Sequence, residues 1–596
     1  MLSGSMVNAG QASEGPPIRI RLGGGFAITL SVMAVVFLPR YYAVGTALHL
    51  FGFILGSAIG LPCFLLWWLF RSRAPWLDRI LGLLVLLACG AVTAVLADPS
   101  MGLPLIVFAI PVVMFVTMLG LALLRSLPWG QARYVMPLVI AAACLYWALL
   151  RFEGVDGTVS GVFSWRWEPT AEAQYLAELE AAAAVGADDA QPVEPRTLTP
   201  QVDDWLQFRG RRRDGQVRGT NLSRDWLGQT PQRMWRRSIG PGWSSFCVVD
   251  GHLFTQEQRG EMEAVVCLDG ETGNTLWVYE YPSRFVEMMA GPGPRATPSF
   301  ADGRVYALGA TGRLACLDGA TGVEQWSRNI AQDGQAAIPE WGFSSSPLVV
   351  DGLVVVFAGG GAGKALLAYT ADDGQLTWTA GDSRLSYSSP QFVSLLGEPQ
   401  VVMHDSFGLT GYRPADGEQL WQYAWPMPKH SRVTQPALVG ERQMVTAMGY
   451  GTGARLVEFA RVEGTWTTTE LWESRQLKPY YNDFVVHQGF AYGFDSDLFT
   501  CLDLTTGKRA WKRGRYGNGQ VLLLPDQELL IVLSEKGQIV LLEANPRRHV
   551  ELAKVDGIEG KTWNHPVLVG DRLYIRNGEQ AACYVLPLAN AVSSAP

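Results

Sequence analysis

Charge and cysteine are both scarce in this chain. Only 17% of its 596 residues are charged, and 48 Lys and Arg face 55 Asp and Glu, a net charge of -7. That balance excludes a general nucleic-acid binder, whose domain would be basic. The 8 Cys include no CxxC, no CxxCH and no vicinal pair, so neither a metal site nor a c-type haem is written in their spacing. A hydrophobic content of 48% excludes a disordered chain, and the composition fits neither a collagen-like chain nor a small disulfide scaffold. A purely cytosolic enzyme is excluded by where the apolar residues fall. Residues 1–151 hold nearly all the long apolar runs, whereas 200–590 read as short strands and Gly-rich turns.

The first part reads as a helical membrane unit over 22–151, after a cytoplasmic N-terminus at 1–21. Uncharged apolar stretches fall at about 22–38, 43–70, 80–97, 101–124 and 134–150, each near the roughly 20 residues that cross a ~30 Å hydrocarbon core. The first is short, Gly-rich and ends at Pro39. Five spans in series argue against a cleavable signal peptide. Arg19, Arg21, Arg71, Arg73, Arg79, Arg125 and Arg133 fall on one side of these spans, against Arg40 and Arg151 on the other. The positive-inside rule then places the N-terminus in the cytoplasm and residues 152–596 outside it. Transport is disfavoured because His49 is the only His, Asp, Glu, Lys or Arg side chain within the stretches. His49 reads as a hydrogen-bonded histidine near the outer interface, with a quinone headgroup as the alternative partner. Gly52, Gly56 and Gly60 form a GxxxGxxxG stripe suited to close helix packing. A linker over 152–203 follows. It carries an amphipathic helix at 170–184 with Thr170 as N-cap, then an acidic, Pro-rich spacer at 185–200.

The second part, 204–590, is dominated by an internal repeat, before a short tail at 591–596. CLDGETGNTLW at 267–277 recurs as CLDGATGVEQW at 316–326, AYTADDGQLTW at 368–378, GYRPADGEQLW at 411–421 and CLDLTTGKRAW at 501–511. Trp235, Trp277, Trp326, Trp378, Trp421, Trp472 and Trp511 step by 42, 49, 52, 43, 51 and 39 residues. That period in strand-like sequence means propeller blades. Asp302-Gly303 between two β-rich runs reads as a hairpin, and the Thr-Gly pair as the turn before a strand opened by Trp. Cys267, Cys316 and Cys501 share one repeat position, which suits a small buried side chain. The pattern predicts an all-β eight-bladed propeller of four-stranded antiparallel blades, preceded by a bundle of about five transmembrane helices. The last three strands, in 563–588, lack a Trp strand, and PQRMWRRSIG at 231–240 has one without a blade. The N-terminal strand is therefore expected to complete the C-terminal blade. Two further runs mimic sites. GGGAGKA at 359–365 lacks the pattern of a phosphate loop and reads as a hairpin turn. RGRRRDG at 209–215 is a basic run that reads as a solvated loop.

The AxDxxTGxxxW unit resembles the pyrroloquinoline quinone (PQQ)-like repeat, over about 204–588. That repeat builds the eight-bladed propellers of quinoprotein alcohol and glucose dehydrogenases and a cofactor-free propeller lipoprotein of bacterial outer-membrane assembly. DWLQFRGRRRDG at 204–215, GPGPRATP, RYGNGQ and KTWNHP resemble a membrane-associated bacterial branch. The layout is also similar to membrane-bound glucose dehydrogenase, whose spans pass electrons to ubiquinone. The resemblance is specific for fold and leaves function open.

A site is expected where the segments joining successive blades surround the central funnel. These carry Arg295, Trp341, Tyr387, His430, Gln435, Asn482, Asp483, Arg515, Asn518, Trp563, Asn564 and His565. Ser344 and Tyr481 lie in the same segments, and Glu257 and Arg259 elsewhere in the first blade. Such a ring would stack a planar anionic quinone, pair its carboxylates with Arg, and hold Ca²⁺ with Glu, Asn and Asp oxygens. Asp483 would be the base that takes an alcohol proton. The alternative is that these groups satisfy loop backbone and neighbouring blades. A Glu, Asn and Asp ligand set does not align with the enzymes, the propeller is shorter than theirs, and the vicinal disulfide of the alcohol dehydrogenases is absent. The first expectation is thus a membrane-anchored, extracytoplasmic binding or assembly scaffold, with a protein partner on a propeller face and no certain cofactor. The second is a PQQ- and Ca²⁺-dependent dehydrogenase oxidising an alcohol or sugar and reducing membrane quinone. Beyond the lipid bilayer, no partner is named by the residues.

Overall fold

The computed structural model describes residues 20–42, 47–157, 160–184, 197–427 and 432–589. The chain separates into a helical unit of Met1–Gly154 with Val159–Glu168, and a second unit of Val155–Thr158 with Pro169–Pro596.

In the helical unit, α1 (Leu22–Phe37), α2 (Ala47–Arg71), α3 (Trp76–Leu96), α4 (Ile110–Leu123) and α5 (Trp129–Ala148) follow in order. Among the described residues, four helical stretches are long and apolar enough to cross a membrane: Leu22–Tyr41, Phe51–Arg71, Trp76–Leu96 and Pro99–Ser126. The fifth expected span lies in α5, whose first turns carry Gln131 and Arg133 and dilute its apolarity. The glycine stripe packs α2 against α1. A Cβ at Gly56 would come within 2.8 Å of Val36, and one at Gly60 would overlap Val32. Glycine therefore sets how closely these two backbones approach. Arg79 ties α3 to the end of α2, donating to Leu69 O at 2.6 Å and Ala74 O at 2.7 Å. The His49 side chain lies outside the described residues.

The second unit is built from eight four-stranded antiparallel sheets. Seven are formed from consecutive strands. Blade 1, for example, comprises Cys247–Val249, His252–Arg259, Met262–Asp269 and Thr275–Pro282. Blade 8 takes Val567–Val569, Arg572–Arg576 and Gln580–Val585 from the C-terminal end, and its outer strand, Gln232–Ser238, from the N-terminal side. Trp235 there pairs with Cys583, so the ring is closed by a hydrogen-bonded ladder between distant parts of the chain.

The repeat motif is one inter-blade contact written over and over. The motif Asp caps its own turn: Asp269 Oδ1 accepts from the backbone N–H of Glu271 and Thr272 and from the Thr272 hydroxyl, and Asp318 repeats the arrangement. The following Gly takes a positive φ, +73° at Gly322, and a Cβ there would lie 2.5 Å from Trp277 of the preceding blade. The Trp277 indole N–H then donates to Gly319 O at 3.1 Å. The same bond to the next blade is made by Trp235, Trp326, Trp378, Trp472 and Trp511. Trp421 turns instead to Gln400 Oε1 at 2.6 Å. The next blade, blade 5, replaces the Asp-Thr-Gly turn with a long hairpin of Gly453–Val462 and Thr465–Ser474, so the usual acceptor is missing. Cys267, Cys316 and Cys501 stand directly across the ladder from Trp277, Trp326 and Trp511. All eight thiols are free. GGGAGKA spans the turn between the second and third strands of blade 3.

Candidate functional site

The candidate site lies around the propeller axis, and its lower end is filled by the chain itself. Residues 204–217 cross the inner strands. Trp205 bridges Val248 of blade 1, Phe300 N of blade 2 donates to Leu206 O at 2.8 Å, and Val217 N donates to Leu523 O of blade 7 at 2.8 Å. The solvated loop expected for RGRRRDG is only half right. Arg211 and Arg212 are exposed, but Arg209 and Arg213 are each 1% exposed. Arg213 donates to Gln207 Oε1 at 2.9 Å, to Pro390 O at 2.7 Å and to Pro347 O. Burial among carbonyls lowers its pKa to about 9. Backbone oxygens with lone pairs turned inward supply what a carboxylate would supply elsewhere.

Above this plug, eight inter-blade segments form a closed hydrogen-bonded belt. Ser245 N donates to Thr297 Oγ1 (2.9 Å), Thr297 N to Ser346 Oγ (3.0 Å), and Ser346 N to Ser389 Oγ (2.9 Å). Ser389 N donates to the Gln435 side-chain oxygen (3.0 Å), and Gln435 N to Asp483 Oδ1 (2.6 Å). Asp483 N donates to Gln520 Oε1 (3.3 Å), and the Gln520 amide donates to Trp563 O (2.9 Å). Ser245 Oγ donates to His565 O at 2.6 Å and closes the circle. Each blade's entry thus satisfies a backbone donor or acceptor of its neighbour, which buried polar groups require.

Four of the candidate residues, Gln435, Asp483, Trp563 and His565, have a partner in this belt. Asp483 is 4% exposed, accepts from Gln435, and faces Arg209 Nε at 3.5 Å. Burial raises its pKa, and Arg209 partly offsets this. Gln435 holds both ends of the Ser389 backbone. His565 lies over Trp205, with ring centroids 6.1 Å apart, and burial lowers its pKa to about 3. Asn564 donates to Ser244 O at 2.8 Å, and Asn482 accepts from Tyr480 N at 2.9 Å.

The side chains of the remaining candidates stand apart from the belt, although the Trp563 carbonyl belongs to it. Arg295 bonds to Glu287 at 3.2 Å and to Gly291 O at 3.1 Å. Burial lowers its pKa, with Glu287 opposing. Trp341 and Tyr387 stack on each other, with centroids 4.9 Å apart. Arg515 has a side chain 70% exposed and pairs with Asp497. Asn518 and Trp563 form a separate cluster with Glu535 at the mouth. His430 lies outside the described residues. Glu257 is buried against Arg259 at 2.6 Å and the Tyr175 hydroxyl at 2.9 Å. Burial alone would raise its pKa, but Arg259 outweighs that and holds it low. Tyr175 belongs to α6 (Ala171–Ala184), which lies on blade 1.

These residues do not fit a seat for PQQ with Ca²⁺. The arginines that would pair its carboxylates already have partners, Asp483 is engaged by Arg209 and Gln435, and the axis below is filled by Arg213. Among the described residues, no three His, Cys, Asp or Glu side chains converge as metal ligands. Reading the sequence alone missed Arg209, Arg213 and Glu535. The first two looked like surface charge, and Glu535 lies in a strand-to-strand turn outside the inter-blade segments.

Comparison with known proteins follows the same division. The family described as outer membrane protein assembly factor BamB matches residues 227–338 and 261–513. The BamB protein of Burkholderia pseudomallei (strain K96243) is 25% identical over 359 residues, 58% of this chain and 85% of that protein. Quinohemoprotein alcohol dehydrogenase ADH-IIG of Pseudomonas putida is 30% identical over 148 residues, but these cover only 23% of this chain and 20% of the enzyme. Among solved structures, BamB from Moraxella catarrhalis aligns with 13% identity and a TM-score of 0.45, over 60% of this chain and all of that one. A likeness of that size carries no functional argument.

Proposed function

This chain belongs to the PQQ-like repeat propeller superfamily, and on that premise we propose that it is a membrane-anchored scaffold that binds protein partners and performs no redox chemistry. The observation that carries this reading is the belt. The polar residues around the axis, Asp483 included, are used in joining blades, and among the described residues no set is left over to hold a quinone and a metal. The relative matched along most of its own length is an assembly factor, whereas the dehydrogenases are matched over about a fifth of theirs. The excess of arginine on one side of the apolar stretches supports an N-terminus in the cytoplasm, a multi-pass anchor in the cytoplasmic membrane and an extracytoplasmic propeller.

The test is titration of the detergent-solubilised full chain with PQQ and Ca²⁺, followed by a dye-linked assay with alcohols and sugars. The expected outcome is no saturable quinone absorbance and no dye reduction. Stoichiometric binding with turnover, both lost in Asp483→Ala, would establish the dehydrogenase instead.

A further inference from the structure

One built recognition site at the propeller mouth uses side chains that take no part in the belt. Residues Val155–Thr158 group with the propeller unit, and the described part of that segment, Val155–Gly157, is held there by its backbone. Gly157 N donates to Glu535 Oε1 at 2.6 Å, and Asn518 Nδ2 donates to Gly157 O at 3.0 Å. Lys561 Nζ donates to Val155 O at 3.2 Å, and Val155 N donates to Met289 O at 3.3 Å. The groups that make these bonds are themselves fixed. Glu535, 9% exposed, accepts from the Trp563 indole at 2.8 Å and from Asn518 N at 3.1 Å. The Lys561 ammonium lies 4.5 Å from the Trp563 ring centroid and 5.3 Å from that of Trp243, a cation–π arrangement that restrains it.

This chemistry reads a polypeptide main chain. A carboxylate takes one N–H, and an amide and an ammonium take two carbonyls. The position between Glu535 and Asn518 favours glycine, because a Cβ on residue 157 would lie 2.5 Å from Glu535 Oε1 and overlap Asn518 Nδ2, and would push both side-chain ends off the main-chain groups they bind. Met289 belongs to a segment between blades 1 and 2 that leaves Val286, Met288 and Met289 56%, 46% and 37% exposed. Unbranched methionine side chains of this kind adapt to differently shaped apolar partners.

We propose that the propeller mouth is a binding site for a glycine-containing turn of a protein partner, and that the chain's own Val155–Gly157 occupies it in the resting state. The intramolecular segment competes at the high effective concentration of a tethered ligand. A partner therefore displaces it only when its glycine turn is supplemented by apolar contacts on the methionine rim. The assignment names the partner chemistry of the scaffold reading and rests on it.

The test uses the full chain in detergent and a fluorescein-labelled peptide of residues 152–162, FEGVDGTVSGV, read by anisotropy. Gly157→Val removes the resident turn from its seat without altering the seat. The expected result is saturable binding by Gly157→Val at least about tenfold tighter than by the wild-type chain, and no binding of the same peptide with valine in place of its Asp-Gly glycine. Equal binding of both peptides, or no binding to a Gly157→Val chain that melts like the wild type, overturns the assignment. The quinone titration is run on the same preparation. Failed peptide binding with no quinone bound removes the mouth assignment alone, whereas quinone binding removes the scaffold reading.

Discussion

At the rim of the propeller, neighbouring blades are joined mainly by one residue type, the Trp that opens an outer strand. Around the axis the same eight blades are joined by Ser, Thr, Gln and Asp side chains and by the carbonyls of Trp563 and His565. Both contacts satisfy the backbone of a neighbour. They differ in what else they do: the indole also buries a large apolar face, worth very roughly 2–3 kcal/mol, in every blade but the seventh, where Ala553 takes its ladder position. At the axis a single oxygen suffices, so any short side chain that carries one can serve. The rim therefore repeats its residue and the axis varies it. A variable ring of polar groups around a funnel looks like a ligand site even when its task is architectural.

The comparison breaks most severely if ring closure is removed. Deleting 227–240 takes away the strand that pairs with Gln580–Val585 and is expected to abolish cooperative unfolding by calorimetry. Deleting 186–196 is expected to leave the melting temperature unchanged. That control stops short of Leu198, which is buried against blade 1. Equal effects of the two deletions would refute closure by this strand.

Next comes the axis itself. Asp483→Ala strands the Gln435 N–H and leaves Arg209 buried without its counter-charge, a loss of about 3–5 kcal/mol. Asp483→Asn keeps an oxygen for Gln435, and chemical denaturation is expected to show a smaller loss. Equal losses would mean that the belt bond contributes nothing.

His565 sharpens the comparison through pH. Burial lowers its folded-state pKa to about 3, well below the unfolded value of about 6.5. The unfolded chain therefore binds more protons between these values. The stabilisation is fully present above the unfolded pKa and declines as pH falls toward 3, by at most about 1.4 kcal/mol per unit. His565→Phe, which keeps a ring over Trp205, is expected to flatten that part of the stability–pH curve. An unchanged slope would place the titration elsewhere.

At the rim, Trp277→Phe keeps most of the apolar contact and loses the bond to Gly319 O, for about 1 kcal/mol. Arg515→Ala removes only an exposed ion pair with Asp497 and is expected to cost under about 1 kcal/mol. A larger loss from Arg515 than from Trp277 in the same denaturation series would invert the ranking.

The blade motif was legible because every part of it acts within a few residues or on the adjoining blade. Asp269 caps its own turn, Gly322 needs a positive φ beside Trp277, and Cys267 lies opposite Trp277 in the ladder. The orphan strand around Trp235 was legible as well, because three C-terminal strands lacked a fourth. The axis was not. Arg209 and Arg213 sit in a basic run with no periodicity, and nothing local distinguishes them from the exposed Arg211 and Arg212. Asp483 has the residue type of a catalytic base, and its use depends on Gln435 and Arg209, which lie far away along the chain.

The helical stretches, the eight blades and the way the ring closes therefore follow from the order of residues, because apolar length and a repeated local turn are properties of short segments. Which arginines are buried, that the funnel residues form a belt, and that Gly157 is seated between Glu535 and Asn518 emerge once the chain is folded. Each of those outcomes is a contact between segments distant in sequence, and the character of a polar side chain leaves open which distant atom will satisfy it.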